Sequence, residues 1–132
     1  MRPWRTLRDL CELYGIDPDK GGGRWWVDLV VLTSEARRYG YTVRDVAAAW
    51  RRQNRISPVV HLSVMRRACW QLFEARAAEW EALQIEPAAT VYDLTEHVVD
   101  VIDGPAPGPD SLAVLEALQK LGIFPTGPSK PG

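Results

Sequence analysis

The 132-residue chain is 46% hydrophobic and 25% charged, with a formal net charge of −1, the make-up of one soluble globular domain. Its two cysteines are too few for a disulfide scaffold and lack the partners of a zinc site. No run of about 18 apolar residues exists to span a membrane, so no membrane partner is expected. The near-neutral total hides a split. Residues 1–76 carry 14 Lys/Arg against 8 Asp/Glu, and residues 77–132 carry 2 against 9. Such asymmetry points to a nucleic-acid-binding part joined to an acidic part. The opening Met1-Arg-Pro-Trp-Arg-Thr has no signal-peptide core. A cytoplasmic, reducing location is therefore expected, with Cys11 and Cys69 as buried thiols.

Thr6, with Asp9 three residues on, is expected to cap a first helix. Its apolar stripe is Leu7, Leu10, Cys11 and Tyr14, and its stop is Gly15. Asp17 to Gly23 reads as a loop. From Trp25 to Tyr39, Trp25, Leu29, Leu32, Ala36 and Tyr39 share one helical face, and Trp26 and Val30 add a second stripe. Residues 25–33 are also β-prone by composition, but length and the lack of alternation favour helix, ended by Gly40. Thr42 and Asp45 form a second capping box, ahead of the apolar face Val43, Val46, Ala47 and Trp50 of a helix to about Asn54. Ser57 caps a fourth helix with Pro58 in its first turn. It is expected to run to about Leu83 with Leu62, Met65, Cys69, Leu72, Phe73, Trp80 and Leu83 inward, a bend or buried partner at Arg76, and an end at Pro87.

Ala89 to Ile102 carries Val91, Leu94, Val98 and Val101 at helical spacing, behind a box formed by Thr90 and Asp93. Residues 104–109 form a Pro/Gly linker. A last helix over residues 110–124 turns Leu112, Leu115, Leu118 and Leu121 inward, with Phe124 as its closure, and residues 125–132 are expected to be disordered. The expected fold is all-α, with five to six helices. A helix-turn-helix-like pair at residues 42–83 lies within a helical domain of residues 1–103.

The third and fourth helices are joined by the short connection of a helix-turn-helix, whose second helix enters the major groove while the first crosses the backbone. On the third helix Arg44, Arg51 and Arg55 fall in one stripe, with Arg52 further round, a pattern suited to phosphates because each guanidinium is a planar donor fork. On the fourth helix the side away from the core holds Val60, Ser63, Arg67 and Gln71. Arg67 is placed for a guanine edge and Gln71 for adenine, and Ser57 and Arg66 complete the expected contacts. The competing reading of these residues is an ordinary polar surface. Glu74, on the same face, limits the usable surface. His61 is expected to be a partly buried helix histidine. Of six tryptophans, Trp26 and Trp70 are the candidates for exposure and base stacking, with core or a partner interface the favoured reading. Asp93, Glu96, His97, Asp100 and Asp103 cluster on one helix and read as a solvated acidic face, with no metal or other cofactor expected. No paired nucleophile and base is visible, so no enzyme activity is expected.

Leu7-x-x-Leu10, Gly15-Ile16-x-Pro18, Lys20-Gly21 and the pair Trp25-Trp26 resemble the opening of the C-terminal DNA-binding effector domain of the stage-zero sporulation response regulator. Ser57-Pro58 followed by Val64-Met65-Arg66-Arg67-Ala68 is similar to that family's recognition-helix region, and Pro109-Asp110-Ser111-Leu112 to the start of its last helix. The resemblance implies an all-helical fold around a helix-turn-helix. The family's Arg-x-Glu-Arg run has no counterpart at Val60, Leu62 and Ser63; only Arg66 aligns with a basic member of the stretch.

The function expected first is a small DNA-binding transcriptional regulator, dimerising to bind duplex DNA tightly. The alternative is a protein-binding inhibitor or adaptor of phage or mobile-element type, docking Asp93, Glu96, Asp100 and Asp103 on a basic protein partner.

Overall fold

The computed structural model describes residues 6–74, 87–101 and 111–123, with side chains detailed in 6–74, 91–100 and 114–123. Every regular element among them is helical: α1 (Leu7–Tyr14), α2 (Gly21–Ala36), a 3-10 turn (Arg37–Tyr39), α3 (Val43–Asn54), α4 (Pro58–Ala68), a helical stretch at 70–74, α5 (Pro87–Val101) and α6 (Ser111–Lys120). The protein is all-α. The expectations for Arg76, Trp80, Leu83, the 104–109 linker, Phe124 and the 125–132 tail lie outside the described residues.

The local signals for α1 and α3 act as expected. Thr6 Oγ1 accepts from the Asp9 backbone N–H at 3.1 Å, and Gly15 takes the left-handed conformation that closes α1. At α3 the reciprocal box is complete: Thr42 Oγ1 accepts from the Asp45 backbone N–H, and an Asp45 carboxylate oxygen accepts from that of Thr42.

Helix α2 is the axis of the fold, packed against α3, α4, α5 and α6. A helix surrounded in this way is apolar on most of its circumference. Trp26, Val27, Leu29, Val30, Leu32, Thr33 and Ala36 are accordingly all buried. Trp25, on the first stripe, is half-buried and packs against the core, and Trp26, on the second stripe and also a candidate for exposure, is fully buried and donates its indole N–H to Thr95 Oγ1 of α5 at 3.0 Å. Thr95 passes the bond on to the Val91 carbonyl at 2.7 Å, so the one polar atom of the indole is satisfied within the core.

The expected glycine loop is also corrected: α2 begins at Gly21. A Cβ on Gly22 would lie 2.3 Å from the Val64 carbonyl oxygen of α4, and one on Gly23 would lie 2.2 Å from that of Asp17. Gly22 lets the start of α2 touch α4 directly and Gly23 lets it close on the segment at Asp17, reasons that outweigh their poor helix propensity.

Ser57 Oγ accepts from the Val60 backbone N–H and Pro58 occupies the first turn, so α4 starts as expected. It does not run on to Leu83. Helix α4 ends at Ala68, Cys69 leaves helical geometry (φ −110, ψ 25), and helix resumes at residue 70. The break keeps Cys69, Leu72 and Phe73 in the core although they lie beyond the last turn of α4. Pro87, expected to stop a helix, is instead the first residue of α5, where its missing N–H has no helical partner to lose. Thr90 is therefore inside α5, not its cap. In α6, Val114 and Leu118 are buried, and the closing residue is Ile123, whose N–H reaches the Leu118 carbonyl at 2.9 Å.

Candidate nucleic-acid interface

Three residues, 55–57, join α3 to α4. Arg55 adopts φ 56, ψ 49, the left-handed conformation, and is the one non-glycine described residue with positive φ. Its N–H closes on the Arg51 and Arg52 carbonyls, and the Ile56 N–H bonds Arg51 O at 3.0 Å. This is the tight helix exit that glycine normally serves, made here by an arginine.

The start of α4 is braced from inside. His61, one turn into the helix, is 1% exposed and stacks on Trp50 of α3 with ring centroids 4.6 Å apart and planes 9° apart. Trp25 of α2 completes the cluster, 5.1 Å from Trp50 and 5.9 Å from His61. Neither imidazole nitrogen has a hydrogen-bond partner among the described residues. Burial, with the Arg51 charge adding to it, holds the ring neutral by lowering its pKa to about 4. His61 is thus a structural piece of the α3–α4 junction, more deeply buried than its pattern suggested.

With His61 and Met65 inward, the outer side of α4 is fixed. Val60, Ser63 and Arg67 lie there together, and all three are exposed, as are Ser57 and Arg66. Gln71 is not brought to the same surface. It lies past the break at Cys69, beside Gly15 at the end of α1, where a glycine Cβ would sit 3.6 Å from its side-chain oxygen. Val59, 72% exposed and outside the expected face, joins Val60, 48% exposed, on it. Trp70, expected as an exposed aromatic, is 57% exposed. The signal for the valines was present in the sequence: an apolar pair outside the 3.6-residue spacing of the core.

The arginine stripe divides. Arg51 is half-buried and donates from Nη1 to the Tyr92 hydroxyl of α5 at 2.7 Å. The Arg44 guanidinium lies 4.7 Å from the Tyr92 ring centroid, in cation–π range. Both contact α5, although Arg44 is itself exposed, while Arg52 and Arg55 at the C-terminal end of α3 are exposed. No Asp or Glu occurs from Val46 to Phe73, a stretch that holds Arg51, Arg52, Arg55, Arg66 and Arg67. Four exposed arginines and the apolar pair therefore share the end of α3 and the outer side of α4, with no acid between them in the sequence.

The acidic cluster on α5 is partly spent within the fold. Glu96 accepts from the Val43 N–H at 3.2 Å, at the N-terminus of α3 where negative charge is favoured, and lies 3.8 Å from Arg37. Asp100 pairs with Arg37 at 2.6 Å. The face is solvated as expected at Asp93 and Asp100, both exposed, and less so at Glu96, which is half-buried; Asp103 lies outside the described residues. Among the described residues no group of three or more His, Cys, Asp or Glu is placed to hold a metal ion, and no helix is long and apolar enough to cross a membrane. Burial pushes the Cys11 thiol up to about 11 and that of Cys69 to about 12, so neither offers a thiolate near neutral pH.

No protein-family model matches the chain, and the searches of curated proteins and of solved structures gave no match.

Proposed function

We propose that the chain is a small duplex-DNA-binding regulator in which α4 enters the major groove and the end of α3 lies along the phosphate backbone. The observation that carries this reading is the exposure of Arg52, Arg55, Arg66 and Arg67 about the α3–α4 turn, in a stretch of sequence that contains no acid. Guanidinium groups suit phosphate and guanine edges, and the N-terminal turns of such a helix are those that reach bases. Ser57 and Ser63, exposed on α4, add short polar contacts. Arg44 and Arg51 act from behind, fastening α3 to α5 through Tyr92. The resemblance of the Ser57-to-Ala68 region to the sporulation-regulator effector domain implies the same use of this helix. A second copy of the chain is expected on the other half of a two-fold site, since one module of this size binds weakly alone.

The alternative, an adaptor docking its acidic surface on a basic protein, is less well supported because Glu96 and Asp100 are already paired with Arg37. Fluorescence anisotropy with duplex DNA at several salt concentrations tests the DNA reading. Four phosphate contacts give a log–log slope of about −3.6, and replacing Arg52 or Arg66 by Ala flattens it by about 0.9. No binding to any duplex at roughly 50 mM salt, a regime that favours phosphate contacts, overturns the proposal.

A further inference from the structure

Resting on the DNA-binding reading, we infer that Val59 and Val60 are specificity-determining residues that read thymine 5-methyl groups in the major groove. The two valines are 72% and 48% exposed in the first turn of α4. Nothing in the fold accounts for them there. They contribute little to the core, and β-branched residues are indifferent helix formers at a solvated position. Their direction is nonetheless fixed. Ser57 and Pro58 set where α4 begins, and His61 stacked on Trp50 sets its rotation, so the residues just before His61 are held outward.

The chemistry around them selects the occupant. Ser63, Arg66 and Arg67 follow on the exposed side of the same helix, and Arg55 lies three residues before Pro58. An apolar partner protein would leave four arginines without acceptors, whereas DNA offers acceptors to all four and one apolar group at base edges, the thymine methyl. Position along the helix agrees, because the first turns of a recognition helix go deepest into the groove. Trp70 lies past the break at Cys69, outside α4 and beyond those first turns.

Selection from a random duplex pool with the full chain identifies a binding duplex, which is then remade with deoxyuridine in place of each thymidine in turn and of all together. The affinity at fixed salt is the readout. A buried methyl is worth about 0.8 kcal/mol, so losing one is expected to weaken binding about fourfold. The V59A/V60A double variant is expected to bind the thymine duplex more weakly than the wild-type chain does, and the all-uracil duplex equally well. As both side chains are exposed, its folding should be unaffected.

Equal affinity of the wild-type chain for thymine and all-uracil duplexes overturns the inference and leaves the DNA reading intact. So does a loss in V59A/V60A of the same size on both duplexes. Failure to enrich any duplex overturns the DNA reading itself, and the inference with it.

Discussion

Replacing Arg55 by glycine separates what the α3–α4 turn needs for folding from what it needs for binding. Arg55 sits at φ 56, ψ 49, which disfavours any side chain with a Cβ. The left-handed conformation costs an L-residue about 1–2 kcal/mol. Glycine removes that cost but loses about 0.5–1 kcal/mol more chain entropy on folding. The net expectation for Arg55→Gly is stabilisation by about 0.5–1 kcal/mol, raising Tm by about 2–3 °C for a chain of this size. Exposed and, among the described residues, without a hydrogen bond to another element, the guanidinium offers nothing there to offset this gain. Arg55→Ala is the control, as it keeps the strain and loses the charge, so its stability should stay within about 0.5 kcal/mol of wild type. Both variants should lose one phosphate contact, flattening the salt slope of DNA binding by about 0.9. Urea unfolding by linear extrapolation, alongside anisotropy on one duplex, provides both numbers. A glycine variant less stable than wild type would refute the strain argument. Unchanged DNA affinity in both variants would refute the view that a costly conformation is kept for its side chain.

Three further outcomes follow from the core. His61 has its pKa lowered to about 4 by burial and by Arg51, against about 6.5 in the unfolded chain. The unfolded chain therefore takes up the proton first. Stability is complete above about pH 6.5 and falls towards pH 4, by about 3 kcal/mol in total; urea midpoints across that range should flatten in His61→Phe, and an equally steep profile in that variant would remove His61 as the cause. Gly22→Ala drives a Cβ to 2.3 Å from the Val64 carbonyl oxygen and should destabilise by about 2–3 kcal/mol; a neutral result would show that α2 and α4 are further apart. Thr95→Val leaves the Trp26 indole N–H unpaired in the core, with an expected loss of about 1–3 kcal/mol, measurable as an earlier thermal transition.

Local signals were legible wherever a helix end is made by its own residues. Thr6, Gly15, Thr42 with Asp45, and Ser57-Pro58 all act within four positions of themselves, and the structure uses each one. What was not legible depends on partners far along the chain. Trp26 is buried more deeply than Trp25 because α2 is enclosed by four helices, and periodicity cannot rank two stripes on a helix that is apolar on most of its circumference. Gly21 to Gly23 read as a loop because the carbonyl of Val64 that excludes a Cβ at Gly22 is 42 positions away. The break at Cys69 carries no proline or glycine to mark it. At the candidate interface, Arg66 and Arg67 were identifiable by charge and phase. The partition of Arg44 and Arg51 from Arg52 and Arg55 turns on Tyr92, a contact that no spacing within α3 reveals.

Backbone amide chemical-shift mapping during titration with the selected duplex tests the central claim most directly, because it locates the contact as well as detecting it. The account predicts the largest shifts from Arg52 to Trp70, strongest at Ser57 to Arg67, with α6 and the exposed side of α5 near Asp93 unchanged. Shifts centred on Asp93 to Asp100, or none between Ser57 and Arg67, would contradict it.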